Sequence, residues 1–142
     1  MATMDGDLAE LAHLCGISTE FWDWKGHHTE ISTETVVAVL ASLDIDASDP
    51  DKTAQALQQA RDKPWRRALP PCVVTEEATT AYVNVHVAHG SPAILHVRCE
   101  DGTVQETQQV DNWAPPRELD GRLVGEATFK LPEGLPPGYH RL

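Results

Sequence analysis

The spacing of apolar residues in this sequence changes near residue 63. Before it, apolar residues recur every three or four positions, as in helices; after it, they alternate with polar residues, as in strands. The charge changes at the same place: residues 1–62 hold 12 Asp/Glu against 3 Lys/Arg, and residues 63–142 hold 10 against 8. The chain is therefore predicted to form a helical subdomain over 1–62, a proline-marked linker over 63–71 and a β-sandwich over 72–142.

Three helices are predicted in the first segment from apolar stripes and end signals. The first is expected to end at Gly16, which suits a left-handed cap, with Ile17 folding back on its last turn. The second begins after Ser32 as N-cap. The third begins at Asp49-Pro50, with the proline in the first helical position.

The second segment is predicted to be antiparallel. Pro70-Pro71 stops any helix and begins an extended run. Alternating apolar residues predict strands at 81–88, 93–99 and 123–131, and Asp101-Gly102 is predicted to form a two-residue hairpin turn. Short strands with turns between them favour a small immunoglobulin-like sandwich, so the predicted fold class is α+β.

Composition excludes several classes of protein. No run approaches the roughly 18 apolar residues of a membrane span, and the first ten residues are acidic rather than basic, so a cytoplasmic protein is predicted. The formal net charge of −11 would repel phosphate backbones and anionic membranes, which are not expected partners. The sequence has three cysteines and no C-x-x-C spacing, which argues against a disulfide framework or a zinc ribbon.

The run FWDWKGHH, residues 21–28, concentrates aromatic side chains in a chain that is only 6% aromatic. The favoured interpretation is structural: Phe21 and one tryptophan pack between the first two helices, and Lys25-Gly26 makes the turn. The alternative is a sugar-stacking surface that exposes Trp22 or Trp24.

A metal or cofactor is not expected. His27 and His28 are adjacent and point apart in either regular structure. The run that begins at Asp44 places acidic or hydroxyl side chains at calcium-loop positions one, three and five, but Asp49 stands where the loop needs glycine. No Ser-His-Asp arrangement, phosphate-binding glycine loop or paired-carboxylate motif has usable spacing.

Two further tryptophans each allow two interpretations. Trp65, in the linker, is expected at the seam between the subdomains rather than against a substrate. Trp113, in the DNWAPP loop, is either a sugar platform or an aromatic cap on the sandwich.

Three runs resemble a known family. GISTEFWDWKGHHTEISTETVVAVLASL, PWRRALPPCVV and LPEGLPPGYHRL are similar to the N-terminal extension of bacterial 4-alpha-glucanotransferases, the amylomaltases or disproportionating enzymes. The positions that match are Gly16-Ile17, Trp22-Asp23, Gly26 and Ser32. One position departs: the family usually closes the second helix with Leu-Gly, and this chain has Leu43-Asp44, where aspartate can still adopt the left-handed cap.

The resemblance implies a retaining enzyme that cuts an α-1,4-glucan, holds the glycosyl unit on a carboxylate and passes it to another sugar. In the family the two carboxylates, about 5 Å apart in a retaining pair, lie in a TIM-type barrel of about 250 residues. The expectation is therefore a parent 4-alpha-glucanotransferase whose barrel lies outside this piece, which itself has no catalytic residue and no cofactor. The expected partners are that barrel, α-1,4-glucans through the parent enzyme, and a second copy in a homodimer.

Two other function classes stay open. In an independent carbohydrate-binding module for α-glucans, the candidate glucan-binding residues are Trp22, Trp24 and Trp113. In a protein-interaction or oligomerisation domain, an apolar patch would stay exposed on the helices or the sheet.

Overall fold

The structure, a computed structural model, describes residues 4–142 and divides into two compact units, Met1–Lys63 and Pro64–Leu142. The first residues of the predicted linker form a short 3-10 turn, Pro64–Arg66, which belongs to the second unit. The role of residues 63–71 as a linker stays a prediction. None of the helices in the described residues has the length and apolar character of a membrane span.

The first unit contains the three predicted helices and a hairpin that the sequence did not indicate. Its elements, in chain order, are α1 Gly6–Leu14, β1 Glu20–Trp22, β2 His28–Glu30, α2 Thr33–Ser42 and α3 Pro50–Asp62. The helices enclose a core of small aliphatic side chains: Leu8, Leu11, Ala12, Val36, Leu40, Ala47 and Leu57.

Left-handed residues end the first two helices, as predicted. Gly16 has φ +75°, and the Ile17 amide donates to the Ala12 carbonyl at 2.8 Å after α1. After α2, Asp44 has φ +60°, and the Ile45 amide donates to the Leu40 carbonyl. Both ends make the same cap, so aspartate does occupy the left-handed position where the family has glycine.

Side-chain oxygens cap the N-termini of the second and third helices. Ser32 accepts a hydrogen bond from the Thr35 amide at 3.2 Å. Asp49 accepts one from the Lys52 amide at 2.9 Å, and Pro50 fills the first helical position. The predicted starts of α2 and α3 are therefore confirmed.

The hairpin of β1 and β2 overturns the favoured interpretation of FWDWKGHH. Phe21 pairs with Thr29 and Trp22 with His28. The two strands satisfy each other's backbone groups, and their side chains stay in solvent: the exposed fraction is 48% for Phe21, 71% for Trp22 and 90% for Trp24. The prediction that Phe21 and one tryptophan pack between the helices is therefore wrong.

The second unit is an antiparallel β-sandwich, which confirms the predicted α+β class. Its strands are β3 Tyr82–Ala88, β4 His96–Arg98, β5 Val104–Glu106, β6 Gln108–Val110, β7 Arg117–Leu119 and β8 Arg122–Lys130. β8 pairs with β3 on one edge and with β6 and β7 on the other, while β4 pairs with β5. The core joins these sheets through Val83, Val85, Leu95, Val97, Cys99, Phe129 and Leu131.

The two-residue hairpin turn lies at a different Asp-Gly pair from the one predicted. At Asp101-Gly102 the loop has three residues, because the Gly102 amide donates to the Cys99 carbonyl and only the glycine has positive φ. At Asp120-Gly121 both residues have positive φ, +51° and +74°, and they join β7 directly to β8. A two-residue turn of this kind requires both values.

Candidate functional site

The hairpin tryptophans are each contacted by a neighbour on the same hairpin. The rings of Trp22 and His28 have centroids 5.1 Å apart, and Nε2 of His28 lies 2.9 Å from Oε2 of Glu20. The Lys25 ammonium lies 5.0 Å from the centroid of the Trp24 ring. The hairpin's own side chains therefore occupy part of the space beside both rings.

Asp23 closes the turn of this hairpin with its carboxylate. Oδ1 accepts hydrogen bonds from the backbone amides of Lys25 and His27, both at 2.8 Å, and Oδ2 lies 3.2 Å from Nδ1 of His27. These bonds, that of the His27 amide first, hold the pKa of Asp23 below its usual value. Both oxygens are engaged within the turn, which reduces their capacity to receive a sugar hydroxyl.

Trp113 lies in the loop between β6 and β7, and its side chain is 90% exposed. The residue before it anchors the loop: Nδ2 of Asn112 donates to Oε1 of Glu126 at 2.9 Å and to Oγ1 of Thr128 at 2.7 Å. Oδ1 of Asn112 accepts a hydrogen bond from the Ala114 amide at 2.6 Å. Trp113 is thus held between two fixed backbone positions.

A polar cluster on the sheet supports this anchor, and sequence reasoning missed it. Nε2 of His86 lies 2.8 Å from Oε2 of Glu126, and these side chains are only 8% and 13% exposed. Trp65 stacks on His86 with centroids 4.6 Å apart, and the Arg117 guanidinium lies 4.9 Å from the Trp65 ring. The sequence places His86 and Glu126 in two predicted strands. Only the register of β3 with β8, which pairs these two residues, shows that they are in contact.

Neighbouring side chains favour the charged form of Glu10, Asp46 and Asp120. Hydrogen bonds lower the pKa in each case, from Arg61 for Glu10, from Ser48 for Asp46 and from Arg66 for Asp120, and the pKa of Asp46 falls to about 2. The general acid of a glycosidase needs the opposite shift. Across residues 4–142, His, Cys, Asp and Glu form no group of three that could hold a metal ion.

The candidate glucan-binding residues lie in both units. Trp22 and Trp24 share the hairpin of the first unit, and Trp113 belongs to the second. All three are exposed, as a sugar platform requires. Their binding of glucan stays a prediction.

Comparison with known proteins identifies the family. Residues 68–142 match the MalQ N-terminal beta sandwich domain. The whole chain is 42% identical to 4-alpha-glucanotransferases of Mycobacterium bovis and Mycobacterium tuberculosis, and it spans 20% of their length. The crystal structure of amylomaltase from Corynebacterium glutamicum matches with a TM-score of 0.85 at 42% identity, over 94% of this chain and 20% of that one. More than half of the chain thus falls within one family, and the resemblance noted from the sequence is confirmed: the protein belongs to the MalQ N-terminal beta sandwich domain family.

Proposed function

We propose that this chain is the non-catalytic N-terminal region of a 4-alpha-glucanotransferase, an enzyme that transfers α-1,4-glucan segments between maltooligosaccharides. The observation that carries the proposal is the 42% identity, over the full chain, to relatives of that name of which it spans one fifth. The chemistry then belongs to the other four fifths of such a protein.

The carboxylates of this chain support a non-catalytic role. A retaining pair stands about 5 Å apart and includes a carboxyl group whose pKa is raised by its surroundings. Glu20 and Glu30 face each other across the hairpin, but both are exposed, and Glu20 is bound to His28. Such a pair lacks the enclosure that glycosyl transfer needs, and one oxygen of Glu20 is already engaged by His28.

The first unit is suited to protein contacts rather than to sugar. Its described residues leave six large apolar side chains exposed: Leu14, Phe21, Trp22, Trp24, Val39 and Leu43. Tryptophan is enriched among the residues that dominate protein interfaces. Glucans are neutral, so the acidic excess of residues 1–62 gains nothing from them beyond hydrogen bonds. We infer that the hairpin packs on the barrel or forms contacts between subunits.

A catalytic assay tests the first part of the proposal. The purified chain, incubated with maltotriose, should release no glucose and form no longer maltooligosaccharide at any pH. The complete enzyme, which contains this region, is the positive control. Transfer by the isolated chain would contradict the proposal, and its loss in Glu20→Ala would then place the chemistry on the hairpin.

Variants of the complete enzyme test the role of the hairpin. Trp22→Ala and Trp24→Ala should lower the melting temperature or the mass in solution, while the KM for amylose stays unchanged. Val104→Ala, which removes an exposed apolar side chain from β5, is the matched control. A selective rise in KM for amylose, with melting and mass unchanged, would instead make the hairpin a sugar site.

A further inference from the structure

We propose that the loop carrying Trp113 is a binding platform for α-1,4-glucan chains. The Trp113 ring stacks on the apolar face of a glucose unit, and the Asp111 carboxylate accepts hydroxyl hydrogen bonds. The choice of α-1,4-glucan rests on the proposed function, whereas the choice of a neutral sugar rests on the site itself.

Both faces of the Trp113 ring are open. In the part of the chain that the structure describes, no aromatic ring stacks on Trp113 and no Lys or Arg lies over it. Trp24 is equally exposed, at 90%, but Lys25 lies over its ring. An amphipathic ring with open faces offers a sugar the apolar surface that stacking requires.

The loop is fixed before any ligand binds. The Asn112 side chain donates hydrogen bonds to Glu126 and Thr128 of β8. It also accepts a hydrogen bond from the Ala114 amide, so the backbone is held on both sides of Trp113. Ala114 is followed by Pro115 and Pro116, whose rings restrict the backbone φ angle. A preorganised loop backbone loses little conformational entropy on binding, and a weak sugar contact depends on that saving.

Asp111 provides the polar part of the platform. Its side chain is exposed two residues before Trp113, and no hydrogen bond or ion pair engages it within residues 4–142. This differs from Asp23, whose two oxygens are engaged by the hairpin turn. A carboxylate that has kept its acceptor capacity can receive one or two sugar hydroxyls.

The size of the surface favours a sugar over a protein. A specific protein interface buries about 800 Å² per partner and is built around a contiguous apolar centre. The loop presents one large apolar ring with polar or small neighbours on both sides, Asp111, Asn112 and Ala114. That matches one or two glucose units, and the net charge of −11 does not oppose a neutral ligand.

Calorimetric titration of residues 1–142 with maltoheptaose tests the platform. Trp113→Ala should weaken binding by about tenfold, the loss of roughly one aromatic contact. Trp24→Ala, which removes an equally exposed ring, should leave affinity unchanged. Asp111→Ala should weaken binding less than Trp113→Ala. Circular dichroism of each variant confirms that the fold is retained, and Trp113→Phe, which keeps a ring, should restore part of the affinity.

The results that would overturn the platform are distinct from those that would overturn the proposed function. Equal affinity in Trp113→Ala and the unsubstituted chain, or a loss confined to Trp24→Ala, refutes the site. Equal binding of cellohexaose refutes the preference for α-1,4 linkage. If the chain binds no maltoheptaose while the complete enzyme still disproportionates maltotriose, only the platform is wrong; if the complete enzyme also fails to transfer, the proposed function is wrong too.

Discussion

Two clusters in this protein each join a tryptophan, a histidine and a glutamate: the hairpin cluster, Trp22, His28 and Glu20, and the sheet cluster, Trp65, His86 and Glu126. The distances are nearly the same: the His and Glu side chains approach to 2.9 Å and 2.8 Å, and the ring centroids lie 5.1 Å and 4.6 Å apart. Their burial differs. The paired side chains are 37% and 67% exposed in the hairpin cluster, and 8% and 13% exposed in the sheet cluster.

Contact geometry alone therefore does not determine what a cluster contributes to the fold. Water screens the exposed pair and competes for its hydrogen bonds, so the pair contributes little to stability. The buried pair has lost its water, and each member depends on the other. In the sheet cluster, Glu126 contacts His86 and also accepts a hydrogen bond from Asn112. The cluster therefore helps to hold the Trp113 loop in place.

The histidines provide the largest test of this comparison. His86→Ala removes the partner of the largely buried Glu126 side chain, so the free energy of unfolding should fall by about 3 kcal/mol. His28→Ala, the matched control, should lower it by less than about 1 kcal/mol, because Glu20 is hydrated. Urea unfolding followed by circular dichroism measures both. Similar losses for the two variants would show that burial does not separate the clusters.

The tryptophans provide a smaller test. Trp65→Ala removes both the stacking on His86 and the contact with Arg117, and should cost about 2 kcal/mol of unfolding free energy. Trp22→Ala should cost under about 0.5 kcal/mol in the isolated chain, because its ring is 71% exposed. The melting temperatures of the two variants show which substitution destabilises the chain more. A larger loss for Trp22→Ala would mean that the hairpin stabilises its unit more than its exposure suggests.

The sequence predicts the helices well because their ends depend on local chemistry. Gly16, Ser32 and Asp49 each act within four residues of their own position, and each forms the expected cap. The hairpin in the first unit was missed because three-residue strands are too short to show alternation. The two-residue turn predicted at Asp101-Gly102 is wrong because an Asp-Gly pair fits more than one loop length, and the register of the flanking strands decides between them.

The candidate site was predictable in part. Exposure of Trp22 or Trp24 was the alternative to a packed core, and the structure exposes both. The sheet cluster could not be predicted, because it joins residues from 65 to 126 through tertiary contacts. Trp113 was identified as a loop aromatic, but its anchor at Asn112 depends on side chains of β8 that only the folded sheet brings near.

The aspartates in the turns of two hairpins, Asp23 and Asp101, provide the last comparison, in which the change in stability should be small. The amide of His27, above all, lowers the pKa of Asp23, and the Thr103 hydroxyl, above all, lowers that of Asp101. A folded-state pKa below the unfolded value of about 3.9 means that each carboxylate stabilises its turn fully above that pH. The contribution is lost as the pH falls through the lowered folded pKa, so both turns should weaken only below about pH 4.

NMR titration of the two carboxyl groups, with the amide shifts of His27 and Thr103 as reporters, measures this effect. Asp23→Asn keeps an oxygen acceptor but removes the charge, so the His27 amide should lose its titration while Thr103 retains its own. An Asp23 carboxyl that titrates at the unfolded value would contradict the prediction, since the two amides that donate to Oδ1 would then not distinguish the charged form from the neutral one. Because Asp23 is exposed, the change should stay local to the hairpin and leave the sandwich unaffected.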